Sequence, residues 1–149
     1  MARKLRKILC PLDFSTPSLE ALDYAADMAR QNDGQLILLH VVENPWVDLY
    51  GPTWQGFFTE LEHAREWAKT RLVDAAQTHA ADLACETIAT RGNPYEEIIN
   101  LAKARQVDLI VMSTRGRTGL QRLSLGSVTE KVLQTSPCPV LAIRQATEE

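Results

Sequence analysis

The sequence predicts an α/β fold: an open five-stranded parallel sheet in the order 3-2-1-4-5, with helices on both faces. Three observations predict it. Five short apolar runs show little polar alternation, as suits strands covered on both sides. Stretches with apolar residues at helical spacing separate them, so the elements alternate β-α-β-α-β-α-β-α-β, the pattern of right-handed crossovers. The length, 149 residues, suits one compact domain spanning 1–149, and no internal repeat or low-complexity run divides it.

The elements follow in order. Lys7 to Leu12 reads as the first strand. Ser15-Thr16-Pro17-Ser18 offers an N-cap and an early helical proline, and Leu19, Leu22, Ala26 and Ala29 continue at helical spacing until Asn32-Asp33-Gly34 stops the helix. Gln35 to Val42 is the clearest buried strand. Glu43 to Phe58 holds two prolines, two glycines, Trp46, Tyr50, Trp54, Phe57 and Phe58, and reads as a long irregular connection: a lid, a binding loop or a dimer contact, or aromatics tucked onto the surface. A helix follows from about Thr59 to Ala81, with Leu61, Ala64, Ala68, Leu72, Ala75 and Ala76 on its buried side. Cys85 to Thr90 is the third strand. Gly92-Asn93-Pro94-Tyr95-Glu96 then places Asn93 at the N-cap, Pro94 at N1 and Glu96 at N3, as in a capping box. That helix runs to about Arg105. Asp108 to Met112 is the fourth strand, a helix starts near Ser127, Pro137-Cys138-Pro139 breaks it, and Val140 to Ile143 is the last strand.

Composition excludes several classes. The net charge of −3 gives no bulk electrostatic pull toward nucleic acid. The basic start, Arg3 to Lys7, has no aromatics interleaved and reads as a solvated strand lead-in. No secretory signal or membrane span is expected, because Pro11 and Asp13 interrupt the first apolar stretch. Cys10, Cys85 and Cys138 have neither CxxC nor His-paired spacing, so they read as small packed side chains in a reduced, cytoplasmic setting rather than as a disulfide frame or a metal site. GxxxxGK[ST], GxGxxG after the first strand, and GxSxG are all missing. His40 reads as a packed or rim histidine, and His63 and His79 as solvated.

The functional signal is Met112 to Thr129. Between a buried strand and a helix it carries three glycines, three arginines and several small hydroxyl residues, and no acid. Such a loop can wrap an anion with backbone N–H groups. It can also be no more than a tight turn. Open sheets of this order bind ligands at the carboxyl ends of strands 1 and 4, where the strand order reverses. Those ends are Pro11-Leu12-Asp13 and Met112-Ser113. Gly116 and Gly126 let the backbone come close to a phosphate or take positive φ, and Ser127 and Thr129 offer hydroxyls. Asp13 suits the hydroxyls of a sugar, or simply caps the first helix. Val41 and Val42 offer apolar contact to a base.

The same residues resemble the universal stress protein family over nearly the whole chain. The resemblance rests on Pro11-Leu12-Asp13-Phe14-Ser15, Leu39-His40-Val41-Val42, Gly92-Asn93-Pro94, Gly116 through Thr129, and Ser136-Pro137-Cys138-Pro139-Val140-Leu141. The family's nucleotide motif is Gly, two residues, Gly, nine residues, Gly, then Ser or Thr. Here Gly116, the nine residues Arg117 to Leu125, Gly126 and Ser127 match it, whereas Ser113 stands where the first glycine is expected. The departure matters if that position needs positive φ. The resemblance implies a Rossmann-like fold of the adenine nucleotide alpha hydrolase-like type and an ATP-binding member of the family. Val41 would then meet adenine, Pro11 and Asp13 the adenosine side, and Met112, Ser113, Gly116, Gly126, Ser127, Val128 and Thr129 the ribose and phosphates. Arg115 and Arg117 are further candidate phosphate neighbours, or solvated loop charges. The resemblance also implies a homodimer joined through Val140 to Ile143, which would cover an apolar edge strand. The expected role is a nucleotide-dependent regulatory module, at most a weak ATPase, with Mg²⁺ arriving through the phosphates. The alternative is a nucleotide-independent homodimeric interaction protein that uses the 43–58 loop.

Overall fold

A computed structural model of the chain describes residues 3–43, 55–115 and 125–145. β1 (Lys7–Pro11), α1 (Thr16–Asn32), β2 (Gln35–Val42), α2 (Gln55–His79), β3 (Cys85–Arg91), α3 (Pro94–Ala104), β4 (Leu109–Ser113), α4 (Ser127–Thr135) and β5 (Val140–Ile143) follow one another. The sheet order is β3-β2-β1-β4-β5, as predicted, and every pairing is parallel.

Side-chain alternation splits the core into two layers. Ile8, Cys10, Leu36, Leu38, Leu109 and Val111 point to one face, where they pack against Ala21, Leu22, Ala25, Ala26 and Ala29 of α1 and Leu61, Ala68 and Leu72 of α2. Leu9, Ile37, Leu39, Ile110 and Met112 point to the other, against Ile98, Ile99 and Ala102 of α3 and Val132 of α4. The alanine stripe of α1 lets that helix lie close on the sheet. Each fully buried Leu or Ile stabilises the fold by about 1.5–3 kcal/mol relative to exposure.

Local chemistry sets most boundaries where the sequence predicts them. The Ser15 side chain caps α1 by accepting from Ser18 N–H, with Pro17 in the first turn. Asn93 caps α3 by accepting from Tyr95 N–H at 3.1 Å, with Pro94 at its start. Glu96 meets the Tyr95 hydroxyl at 3.4 Å. Gly92 has φ +140, and a Cβ there would lie 2.9 Å from the Glu97 carboxylate, so this turn requires glycine.

Three expectations are corrected. The second helix begins at Gln55, four residues inside the stretch read as irregular, and ends at His79 rather than Ala81. Gly56 signals a break, but one glycine costs about 1 kcal/mol relative to alanine, too little to stop a helix this long. At the other end, Arg30 donates to the His79 carbonyl at 3.1 Å and closes the helix with a side chain from α1. β4 starts one residue late because Asp108 turns back, its carboxylate accepting from the Arg6 and Lys7 N–H groups at 2.9 and 3.0 Å. His79 is not a solvated residue: its Nδ1 lies 2.7 Å from the Asp23 carboxylate, tying α2 to α1. Residues 44–54, most of the aromatic connection, lie outside the described residues.

Candidate functional site

The topology makes a crevice where β1 lies between β2 and β4. The chain leaves β1 through α1 on one face, and reaches β4 through α3 on the other. The register Ile8↔Leu109 sets Pro11 level with Met112, and Pro11↔Leu39 sets Asp13 level with Val41. Pro11, Asp13, Val41, Met112 and Ser113 therefore meet along one edge of the sheet, at its carboxyl end.

The first wall is the β1–α1 junction. The Asp13 carboxylate accepts from Ser15 N–H at 2.9 Å, and from the Ser15 hydroxyl as well. The Ser15 oxygen in turn accepts from Ser18 N–H. This knot holds Phe14 at φ +66, a left-handed conformation that costs a residue with a Cβ about 1–2 kcal/mol. Asp13 is therefore not the cap of α1, as the bland reading had it: Ser15 caps the helix, and Asp13 holds Ser15 while standing at the edge of the crevice.

The second wall is the β4–α4 junction. Gly126 is the N-cap of α4, with φ −60 and ψ 152 and no side-chain cap. Glu130 N–H makes the bond back to Gly126 O at 3.0 Å. The N–H groups of Ser127, Val128 and Thr129 come before it and have no carbonyl within the helix to take them. They carry the positive end of the helix dipole. The Gly126 N–H donates to Thr114 O at 2.7 Å and fixes the cap against the end of β4. The φ of Gly126 is one that any residue adopts, so what glycine brings here is the missing side chain.

Ser113 answers the question raised by its place in the motif. It is the last residue of β4 and is not among the residues with positive φ, so serine carries no backbone penalty. Its hydroxyl donates to Arg115 O at 2.6 Å and steers the first residues after the strand. Thr129 departs from expectation: it is buried, and its hydroxyl donates to Ser113 O at 2.8 Å. That proton serves as a latch between α4 and β4, which leaves the Thr129 backbone N–H as its group for a ligand. Ser127 is exposed at the first position of the helix, and Val128 packs with Val41 and Met112 against one core layer. Gly116 and Arg117 lie outside the described residues.

Sequence reasoning missed the layer behind the first wall. His40 Nδ1 lies 2.7 Å from Leu12 O; since a carbonyl only accepts, this nitrogen carries the proton. The His40 ring stacks on Phe14 at 4.7 Å, Phe14 meets Trp67 edge-on at 5.6 Å, and the Arg71 guanidinium lies over both Phe14 and Trp67 at 5.1 and 5.2 Å. The helical spacing of Trp67 and Arg71 was visible, but their meeting with Phe14 depends on a left-handed residue that no sequence pattern announces. The cysteines are free, and burial pushes their thiols up, which suits inert packed side chains. No group of His, Cys, Asp and Glu that could hold a metal occurs among the described residues.

Known proteins carry the same frame. The model of the universal stress protein family matches residues 4–144. Universal stress protein MJ0531 of Methanocaldococcus jannaschii is 34% identical over 146 residues, covering 97% of this chain and 85% of the relative. The solved structure of MJ0577, from the same organism, superposes with a TM-score of 0.85 at 30% identity, covering 98% of this chain and all of the other. A universal stress protein from Archaeoglobus fulgidus, solved in complex with dAMP, shares the fold with a TM-score of 0.61 at 19% identity, over 93% of this chain and 97% of its own. This chain belongs to the universal stress protein family.

Proposed function

We propose that this protein is an adenine-nucleotide-binding regulatory module that takes ATP in the crevice between β1 and β4. The observation that carries the reading is the uncapped start of α4. A nine-residue helix starts at the crevice, and among the described residues no side-chain cap takes its first N–H groups. Asp13 and Val41 lie across from it, suited to a sugar hydroxyl and a base. That a structure of this fold holds dAMP supports an adenine nucleotide over a bare anion. In this reading Gly116 and Gly126 admit the phosphates, Ser113, Ser127, Val128 and Thr129 line them, Pro11 and Met112 flank the ribose side, and Mg²⁺ comes with the phosphates. The free, packed cysteines fit a cytoplasmic setting.

Two measurements test it. Purified protein is denatured and the released nucleotide identified; an adenine nucleotide is expected. The melting temperature should also rise with millimolar ATP, because a ligand that binds only the folded state stabilises it. No released nucleotide and no ATP-dependent shift would overturn the reading. Hydrolysis is a separate matter, since it needs a positioned water and charge neutralisation. Phosphate release that persists unchanged in Gly126→Val would belong to a contaminant.

β5 supports a homodimer as well. It pairs on one side with β4, lies at the edge of the sheet, and leaves Val140 to Ile143 partly exposed. Sedimentation is expected to show a dimer; a monomer at all micromolar concentrations would refute it.

A further inference from the structure

The carboxyl end of β3 holds a polar group with no partner. The Thr90 hydroxyl oxygen is closed off from solvent and makes no hydrogen bond. A buried hydroxyl in that state destabilises the fold, and most such groups in native proteins find a partner. Its position gives the orphan a meaning. Thr90 is the register partner of Val41 across the parallel β2–β3 pairing. Alternation puts it on the same sheet face as Ile88 and Val41, which pack with Tyr95, Val128 and Met112. From the start of α4, beyond β4, the row crosses β1 and β2 before reaching β3. Three strand spacings make roughly 14 Å, room for phosphates, ribose and base laid in sequence. Thr90 stands on β3 at the far end of that row from the start of α4.

We infer that Thr90 hydrogen-bonds the outer edge of the bound base, its oxygen accepting from the exocyclic amine of adenine. This rests on the nucleotide reading above. A hydroxyl both donates and accepts, and one step between staggered χ1 wells turns it toward a ring lying on Val41. The unpartnered state then belongs to the protein without nucleotide, and the base supplies the missing partner.

The test is titration calorimetry on the full chain, paired with melting curves of the unliganded variants. Thr90→Val keeps the shape and removes the hydroxyl. It should raise the melting temperature without ligand and weaken ATP, ADP and AMP alike by about three- to tenfold, the worth of one hydrogen bond. Ribose 5-phosphate, which lacks a base, should bind Thr90→Val and wild type equally. Thr90→Ser should bind as wild type does, and Thr90→Ala, which differs from it only by the hydroxyl, should show the loss even if the valine variant does not fold. ATP binding equal in the serine and alanine variants overturns the role of Thr90 while leaving nucleotide binding intact. A wild-type protein that binds no nucleotide overturns both.

Discussion

The two strand-to-helix junctions that face each other across the crevice solve the same problem in opposite ways. Each follows a central strand and must deal with the unpaired N–H groups that begin a helix. At β1–α1 the chain supplies its own acceptors: Ser15 caps the helix and Asp13 holds Ser15. At β4–α4 the cap is Gly126, and nothing on its side chain can accept. The backbone does not require this, since φ −60 suits serine or aspartate equally well. A helix start closed by its own side chain is finished structure. One with no side-chain cap of its own suits an acceptor from outside, which is the part the nucleotide reading proposed above gives to phosphate.

The most direct way to break the contrast is to make the second junction resemble the first. Gly126→Asp places a carboxylate where the side-chain cap is missing. It should fold normally and melt slightly higher, since aspartate caps at least as well as glycine. ATP affinity should fall by about ten- to a hundredfold, because the new carboxylate takes the N–H groups and repels the phosphates; charge-assisted hydrogen bonds are worth about 1.5–3 kcal/mol each. Calorimetry checks it. Unchanged ATP affinity in a folded variant would mean that α4 is not the phosphate end.

Thr129→Val probes what holds the open junction in place. The variant removes the donor to Ser113 O, a buried contact, and should cost about 1–3 kcal/mol in denaturant unfolding. Its effect on ATP should be smaller than that of Gly126→Asp, because the backbone N–H of residue 129 remains. Losses as large in affinity as in stability would place the hydroxyl on the ligand instead.

How much of this contrast the sequence carries depends on what each part rests on. The alternating elements and the caps at Ser15 and Asn93 were legible because hydrophobic period and cap chemistry are local, and the strand order because alternating β and α elements commonly take the order 3-2-1-4-5. So was the convergence of Asp13, Val41 and Ser113, which follows from topology alone. The commitment of the Thr129 hydroxyl was not legible: a threonine in a first helical turn reads the same whether it faces a ligand or the strand behind it. The orphan at Thr90 was hidden for the same reason, since it is defined by what its neighbours lack. The start of α2 at Gln55 was masked by glycine and aromatics that resemble a loop, and His79 by a partner on another helix. The 43–58 alternative falls largely on residues outside those described.

Ser113→Gly sharpens the comparison from the other side by restoring the motif's first glycine. If that glycine served a left-handed turn, the substitution should tighten ATP binding strongly. Ser113 is an ordinary strand residue here, so affinity should stay within about twofold, a difference of less than ~0.5 kcal/mol. Stability should fall instead, by about 0.5–1 kcal/mol for glycine in a strand, with the lost bond to Arg115 O added. A tenfold gain in affinity would show that serine at this position holds the site back.

The smallest expected effect lies far from the crevice and serves as its control. Arg30 joins α1 to the turn after α2, contacting Asp82 at 2.8 Å and Asp27 at 2.9 Å. The hydrogen bonds from Arg30 hold the Asp82 carboxyl below its ordinary value. A depressed carboxylate pKa stabilises the fold above the unfolded value, near pH 3.9, and that stability is lost as pH falls through the folded value. The contribution should therefore be complete at pH 7 and disappear below about pH 4. These groups are exposed, so solvent and salt screen the pair and the effect is slight. Asp82→Asn should flatten the acid limb of the stability profile, measured by urea unfolding between neutral and acid pH, and leave ATP affinity unchanged. A loss of ATP binding in that variant would mean the α1–α2 clasp reaches the crevice through Phe14, His40 and Trp67, and the two junctions would no longer differ in their caps alone.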